Sequence, residues 1–515
     1  MKRIIITLIA LVALSSCAKL DQSPYDTVDK NKAFKDIKDA ERWVVGMYST
    51  LRDNVYGPKM YLTEVQADFL DLRNQRKRYK YNNQYIWTDF TTSDEYTAAI
   101  YKEMNLAIRY INTALERFDE IPLKSDAERV QWQAFKGELL MGRAYYRTYL
   151  ATHYCVAYDP ATADTDLGLQ LIDDVAYDVT PQRSSLKETY ERILSDISTA
   201  ETLLASKTGS LGANGFTIDA AKALKARVLL YQQNWSGAYA AAKEVIDSGK
   251  YPLLSDADSF AAIWAEDKTD ETIMQLTTLY SSAGNELPRG NNDPYIGYAV
   301  EINLFTGETE AYSAPEVIPT QALLDKYENT DIRKSVYYKQ FTDIGGEGLF
   351  GDTAYLVNKY PDYPALRAAT DNPTYAHAPK VFRIAELYLI AAEAGANGGG
   401  SDGETYFNAL RTARGASTTV TYSLATVKEE RARELAFEGF RLFDLQRWKE
   451  GVVRGTPQLQ SLVITDPAAQ YSELNIPYRG RNYHKIVWPI PAADISYERG
   501  KILQNPGWEI QFTTP

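Results

Sequence analysis

The chain is poor in the side chains from which metal and redox sites are built. It has two cysteines, and its three histidines, His153, His377 and His484, are widely separated among 515 residues. Zinc and redox sites draw on Cys and His at close spacing, so neither is predicted. A basic surplus is also lacking, since 56 Lys and Arg against 68 Asp and Glu leave a net charge of −12. Nucleic acid is therefore not predicted as a partner, because its binding needs a concentrated positive surface.

The apolar run at the N-terminus is too short to be a membrane span. Ile4 to Leu14 is well below the roughly 20 residues that a transmembrane helix needs. It follows Lys2 and Arg3 and precedes Ser15, Ser16 and Cys17, which is the order of a secretory signal. Residues 14–17, Leu-Ser-Ser-Cys, resemble the lipobox of bacterial lipoproteins. We predict removal of residues 1–16, lipidation (palmitate) of Cys17 and a tether over 17–30; the alternative is an ordinary signal peptide.

Helical patterns dominate the rest of the chain. Apolar residues step by three and four from Ile37 to Leu51 and again from Ile100 to Phe118. Capping-box spacing at Ser125 and Ser185, each with a glutamate three residues later, predicts two more helix starts. The segments 219–247 and 382–414 each predict two small-residue helices joined by a short connection, as in tetratricopeptide-like repeats.

Long irregular stretches separate the helices. Residues 156–183 and 249–314 are rich in turn-forming residues, 272–279 is β-like, and 336–360 predicts a hairpin. These stretches are rich in Tyr and Trp, which disfavours disorder. The sequence thus predicts a helical scaffold that displays structured loops.

Catalytic and metal motifs have weak support. Gly346 to Gly351 matches G-x-G-x-x-G, but the following residues are strand-like, so a hairpin turn is favoured over a phosphate site. A pair of carboxylates for glycoside hydrolysis needs only spatial proximity, so the sequence cannot identify one among 68 acids. Asp164 and Asp166 suggest either a structural Ca²⁺ site or a solvated acidic loop.

Aromatic residues are the unusual component, with 38 Tyr, 16 Phe and 8 Trp. Rings beside Arg and Asn suit a carbohydrate, because the rings stack on its C–H face and the polar groups bond its hydroxyls. A basic run at 73–80 is followed by such rings, and a second cluster lies in the other long loop; a solvated loop and ordinary ring packing are the alternatives. The predicted ligand-binding residues are Arg73, Asn74, Arg76, Tyr81, Tyr85, Trp87, Asn292, Tyr295 and Tyr298.

A charged motif near the C-terminus has a structural interpretation. Glu430, Glu434 and Glu438 have the spacing of one helix face, where they repel each other unless cations pair with them. We predict a charge network in which Arg431, Arg441 or Arg447 supplies the partners, in preference to a catalytic site.

Residues 430–448, which contain this motif, closely resemble the signature of the SusD/RagB family of nutrient-uptake lipoproteins. Residues 382–394, Trp488 to Pro491 and Gln504 to Trp508 extend the resemblance. It implies a mainly α fold with four tetratricopeptide-like helix pairs, a loop-rich irregular region and a few short strands. It also implies a helical region over 31–250 and a SusD/RagB region over 251–515, packed as one structural unit.

The family resemblance further implies a non-catalytic glycan-binding lipoprotein on the exterior of the outer membrane. Its expected partner is a SusC-like TonB-dependent transporter, to which it delivers an oligosaccharide, and no cofactor is implied. Three alternatives stay open at this point: a peptide ligand in the same kind of uptake system, a surface glycoside hydrolase, and a helical-repeat adaptor whose only partner is a protein.

Overall fold

A computed structural model describes most of the 515-residue chain. The described residues are 33–73, 82–87, 90–173, 182–278, 295, 298–302, 309–342, 353–367, 373–459, 474–497 and 501–508. The predicted lipidation site Cys17, the signal segment and the G-x-G-x-x-G match at 346–351 lie outside these ranges.

Helices make up most of the described structure, so the predicted mainly α class is confirmed. The helices of the first half are α1 (Ile37–Val55), α2 (Pro58–Gln66), α3 (Asn82–Ile86), α4 (Glu95–Arg117), α5 (Asp126–Tyr154), α6 (Leu186–Leu203), α7 (Ile218–Tyr231) and α8 (Trp235–Asp247). Those of the second half are α9 (Ala257–Ala265), α10 (Gln321–Leu324), α11 (Ile332–Tyr337), α12 (Ile384–Ala396), α13 (Gly403–Ala413), α14 (Leu424–Glu434), α15 (Arg441–Arg447) and α16 (Ala492–Tyr497).

The long helices pack in a continuous array. Each of α4 to α7 contacts the next helix in sequence, α8 then packs on α12, and α12 packs on α13. The helix pairs predicted at 219–247 and 382–414 correspond to α7 with α8 and α12 with α13. Small alanines on the facing surfaces, such as Ala223 and Ala242, are completely buried, which allows the helix axes to approach closely.

Short antiparallel strand pairs accompany the helices in the described structure. The strands are β1 (Leu70–Leu72), β2 (Thr272–Gln275), β3 (Tyr298–Ile302), β4 (Thr309–Ser313), β5 (Val317–Pro319), β6 (Tyr338–Phe341), β7 (Ala354–Val357) and β8 (Lys380–Arg383). They pair as β1 with β5, β2 with β8, β3 with β4 and β6 with β7. The register places Leu70 opposite Pro319 and Tyr338 opposite Val357. The β6–β7 pair confirms the hairpin predicted within 336–360.

One large hydrophobic cluster runs from Phe34 to Trp508 and draws residues from both predicted regions. The two predicted capping serines begin helices: Ser125 accepts the N–H of Glu128 before α5, and Ser185 forms a complete capping box with Glu188 before α6. Among the described residues, no helix is long and apolar enough to cross a membrane.

Candidate functional site

The three glutamates of the C-terminal motif lie in a network of cations, with Glu430 and Glu434 completely buried and Glu438 partly buried. Glu434 accepts hydrogen bonds from Arg333, Arg383 and Arg414 at 2.9 to 3.1 Å, and its side chain is completely buried. Arg333 lies on α11 and Arg383 on β8, so these two side chains connect α11 and β8 to the end of α14. The network therefore ties distant segments of the chain together, in agreement with the structural interpretation of the motif.

The pairing differs from the prediction. Arg431 binds Asp444, Arg441 binds Asp68, and Arg447 binds Glu393 and Asp444. None of the three thus pairs with the motif glutamates in the way that the sequence suggested.

The predicted common helix face is also wrong, because the helix ends before the third glutamate. Helix α14 stops at Glu434, and the chain then turns through Phe437 and Gly439 at φ values of 64° and 82°. Glu438 consequently lies beyond the helix, where Lys359 and Arg383 bind its carboxylate at 2.5 to 3.0 Å.

The buried cations keep these carboxylates ionised. Burial alone would raise the pKa of Glu430, but the charges of Arg333, Arg433 and Arg411 lower it to about 2. The pKa of Glu434 is lowered in the same way, although burial opposes the shift. Burial lowers the pKa of Lys359 to about 8, which disfavours the charged form of this lysine. All of these charges have protein partners, so none of these three carboxylates is a free acid for catalysis.

The first cluster of predicted ligand residues is well packed where it is described. Arg73 is buried and donates to the Pro315 carbonyl at 3.4 Å. Tyr85 is completely buried, with the Arg454 guanidinium 4.0 Å from its ring centroid and its hydroxyl donating to Asp71 at 3.3 Å. Burial raises the pKa of Asp71 to about 7, against the opposing charge of Arg454.

Trp87 is completely buried and has φ 61°, an unusual backbone conformation for a bulky residue. Its carbonyl accepts hydrogen bonds from Lys485 Nζ at 2.5 Å and from the Phe90 amide at 3.3 Å. Such backbone conformations persist where surrounding contacts hold them, often beside binding sites.

The second predicted cluster is described only in part. Tyr295 is 1% exposed, with its ring edge-to-face to Tyr61 at 5.4 Å and beside Phe437 at 5.5 Å. Tyr298 begins β3. Arg73, Tyr85, Trp87 and Tyr295 are therefore packing residues in the described structure, and the three rings among them are buried rather than open to a sugar. The ligand contacts of Asn74, Arg76, Tyr81 and Asn292 stay predictions, because those residues lie outside the described ranges.

Helix α2 brings the two clusters together. The ring of Tyr61 on α2 packs edge-to-face against the ring of Tyr295 in the second cluster. Arg454, which covers Tyr85 of the first cluster, donates to the Val65 carbonyl of the same helix at 3.1 Å. Residues of the two clusters, more than 200 positions apart in sequence, therefore lie next to the same helix, as a single binding region requires.

The sequence interpretation missed a loop beside Trp87, residues 477–485. Lys485 anchors it through the carbonyls of Trp87 and Phe90. The rings of Tyr478 and Tyr483 meet edge-to-face at 5.0 Å. A usable signal was present, because residues 474–493 contain Arg479, Arg481 and Lys485 but no Asp or Glu, in a chain with net charge −12.

A separate cavity of about 100 Å³ lies between α5, α7 and the residues just after α14. Its charged lining is paired: Arg227 forms two 2.6 Å bonds with Glu386, and Arg383 binds Glu438. The volume suits a few water molecules. None of the predicted ligand residues that the structure describes lines it.

Asp164 and Asp166, the proposed calcium ligands, have protein partners. Lys187 Nζ lies 2.9 Å from Asp164, and Thr162 donates to Asp166 at 2.6 Å. Over the described ranges, no three His, Cys, Asp or Glu side chains are grouped to hold a metal. Cys155 is buried, and burial raises the pKa of its thiol.

Comparison with known families agrees with this architecture. A sequence model described as the SusD family matches residues 255–508, and a second, described as starch-binding and associating with the outer membrane, matches residues 20–230. The chain belongs to the SusD/RagB family. No curated protein matches it.

Solved SusD-like structures share the fold over nearly the whole length. A SusD superfamily protein from Bacteroides vulgatus ATCC 8482 is 22% identical, with a TM-score of 0.72 over 93% of this chain and 100% of that one. One from Bacteroides thetaiotaomicron VPI-5482 is 21% identical, with a TM-score of 0.74 over 92% and 100%. A laminarin-binding SusD-like protein is 20% identical, with a TM-score of 0.66 over 92% and 100%. At these identities the likeness establishes the SusD fold.

Proposed function

We propose that this SusD-family protein captures an oligosaccharide at the bacterial outer membrane and delivers it to a SusC-like TonB-dependent transporter without catalysis. Family membership carries the proposal, because the matching families and structures include proteins described as starch-binding and laminarin-binding. The two predicted clusters converge on α2, and the loop 477–485 lies beside Trp87 of the first cluster, which together support a ligand region there. Lipidation of Cys17 provides the attachment to the membrane.

Calorimetric titration tests the ligand class. The purified protein, beginning at residue 18, is titrated with a panel of oligosaccharides and a panel of peptides. We expect heat of binding from at least one oligosaccharide, and no release of shorter sugars on prolonged incubation. Binding to peptides alone contradicts the choice of ligand, and release of products contradicts the non-catalytic role.

Cell fractionation tests the attachment. The wild-type chain is expected in the outer-membrane fraction, and a Cys17→Ser variant is expected in soluble fractions because it lacks the lipid acceptor. A variant that remains with the membrane contradicts the lipid anchor. Copurification of the wild-type protein with a transporter barrel tests the proposed partner.

A further inference from the structure

Two exposed arginines of the loop 477–485 have no carboxylate partner among the described residues. Arg479 and Arg481 are exposed, and neither forms an ion pair with another described residue. Two acids of the described structure near the loop are already engaged, since Asp159 binds Lys449 at 2.8 Å and Glu450 binds Lys428 at 2.6 Å. Two guanidinium groups therefore remain available on a protein whose overall charge repels anions.

Aromatic side chains lie beside these charges. The Arg479 guanidinium is 5.1 Å from the centroid of the Tyr478 ring, and Tyr483 meets that ring at an interplanar angle of 88°. Both tyrosines are partly exposed. A ring next to a guanidinium offers a face for the C–H groups of a sugar and a planar pair of donors for an anionic substituent.

The loop contains two residues with positive φ and is closed by turn hydrogen bonds. Arg479 and Asn482 have φ values of 58° and 68°, in the left-handed region that non-glycine residues seldom adopt. The Gly480 amide donates to the Pro477 carbonyl at 2.8 Å, and the Lys485 amide donates to the Asn482 carbonyl at 2.8 Å. A preformed loop binds with a smaller entropic cost than one that must be ordered, which favours a binding role.

From these observations we propose that the loop binds the negatively charged substituent of an acidic oligosaccharide, a carboxylate or a sulfate, through Arg479 and Arg481. This inference rests on the proposed function and narrows its substrate class. The position of the loop supports it, because Lys485 joins the loop to Trp87, at the end of the predicted ligand segment. Residues 74–87 of that segment contain four basic residues and no Asp or Glu.

Calorimetry with three matched oligosaccharides tests the proposal: a neutral glucan, an oligogalacturonate and a sulfated galactan of equal length. We expect the wild-type protein to bind one of the two acidic sugars about tenfold or more tightly than the neutral one. The better of the two identifies the substituent as carboxylate or sulfate. The preference should shrink at about 1 M NaCl, where the Debye length is about 3 Å.

The double variant Arg479→Gln with Arg481→Gln should lose this preference, and replacement of both by lysine should recover part of it. The matched control for the glutamine double variant is Arg129→Gln with Lys124→Gln, on exposed positions at the start of α5. It lowers the net charge equally and should leave affinity unchanged. Thermal unfolding checks that both variants fold.

Each outcome separates the two proposals. Equal affinity for neutral and acidic oligosaccharides, or a preference that the double variant retains, overturns the inference and leaves oligosaccharide capture intact. The absence of binding to every oligosaccharide overturns the proposed function. Binding only to vesicles of anionic phospholipid, lost in the double variant, identifies a membrane contact and overturns both.

Discussion

At the scale of single residues, Glu434 is a completely buried carboxylate that is compensated by several cations. Its carboxylate is the shared acceptor of Arg333, Arg383 and Arg414, all of them buried. In Glu434→Gln the amide retains the shape but removes the charge that compensates these cations. Breaking a buried charge pair in this way costs about 3–5 kcal/mol. We expect a loss of that order in the free energy of unfolding, measured by urea denaturation.

The control for this substitution is Glu429→Gln in the same helix. Glu429 is half exposed and pairs with Lys326 at 2.7 Å. Exposed ion pairs contribute about 0–1 kcal/mol, so this variant should unfold close to the wild type. Similar losses in the two variants would show that burial of the Glu434 network does not determine its contribution.

The sequence predicted the need for this network but not its members. Three glutamates at spacing four required cations, and the nearest arginines in sequence were the natural candidates. The actual partners of Glu434 are 20, 51 and 101 residues away. Only the folded chain brings α11, β8 and the end of α13 to Glu434, and local spacing contains no information about that arrangement.

At the scale of elements, the capping box before α6 shows how local sequence determines a helix start. The Ser185 hydroxyl accepts the Glu188 amide at 3.1 Å, and the Glu188 carboxylate accepts the Ser185 amide at 2.9 Å. Ser185→Ala removes one of these bonds and should lower the free energy of unfolding by about 1 kcal/mol. Chemical denaturation measures the change.

Ser198→Ala provides the matched control within α6. Ser198 is exposed in the middle of the helix, where alanine has the higher helix propensity. This variant should be as stable as the wild type or slightly more so. If Ser185→Ala behaves in the same way, the cap does not stabilise α6.

Helices were predicted well because periodicity and caps act within a few residues. Loops were not, because their conformation depends on distant contacts. Trp87 was predicted to contact a ligand, with ring packing as the alternative; its ring is buried, and Lys485, almost 400 positions later, donates to its carbonyl. The loop containing Arg479 was missed because its proximity to Trp87 exists only in the folded chain.

At the scale of the whole molecule, the fold depends on buried ionisable groups whose effects on stability oppose one another. Burial raises the pKa of Glu64 to about 8, and its carboxyl accepts the Gly439 amide at 2.7 Å. The buried arginines instead lower the pKa of Glu430 to about 2 against its burial. Burial lowers the pKa of His153 to about 4. The pH dependence of stability is the balance of these groups.

Glu64 can be isolated from this balance by substitution. Between about pH 4.5 and 8 the folded chain keeps a proton on Glu64 that the unfolded chain has released, so its contribution to stability falls as pH rises. Glu430 acts in the opposite direction at lower pH, because between about pH 4.5 and 2 the unfolded chain holds the extra proton and stability is lost as pH falls.

Glu64→Gln should therefore flatten the decline in stability between pH 5 and pH 8. The amide oxygen can still accept the Gly439 N–H, while the side chain no longer has a charge to bury. The free energy of unfolding, measured by urea titration across this range, should fall less steeply with pH in the variant than in the wild type. The difference between the two proteins should be largest at the alkaline end.

The exposed Glu41→Gln in α1 is the control, and its curve should run parallel to that of the wild type. The groups common to both proteins, including His153, cancel in the difference between the wild type and Glu64→Gln. A constant difference across the range would mean that Glu64 has the same charge in the folded and unfolded chains. The raised pKa of this carboxyl, and with it the burial of Glu64 against Gly439, would then be wrong.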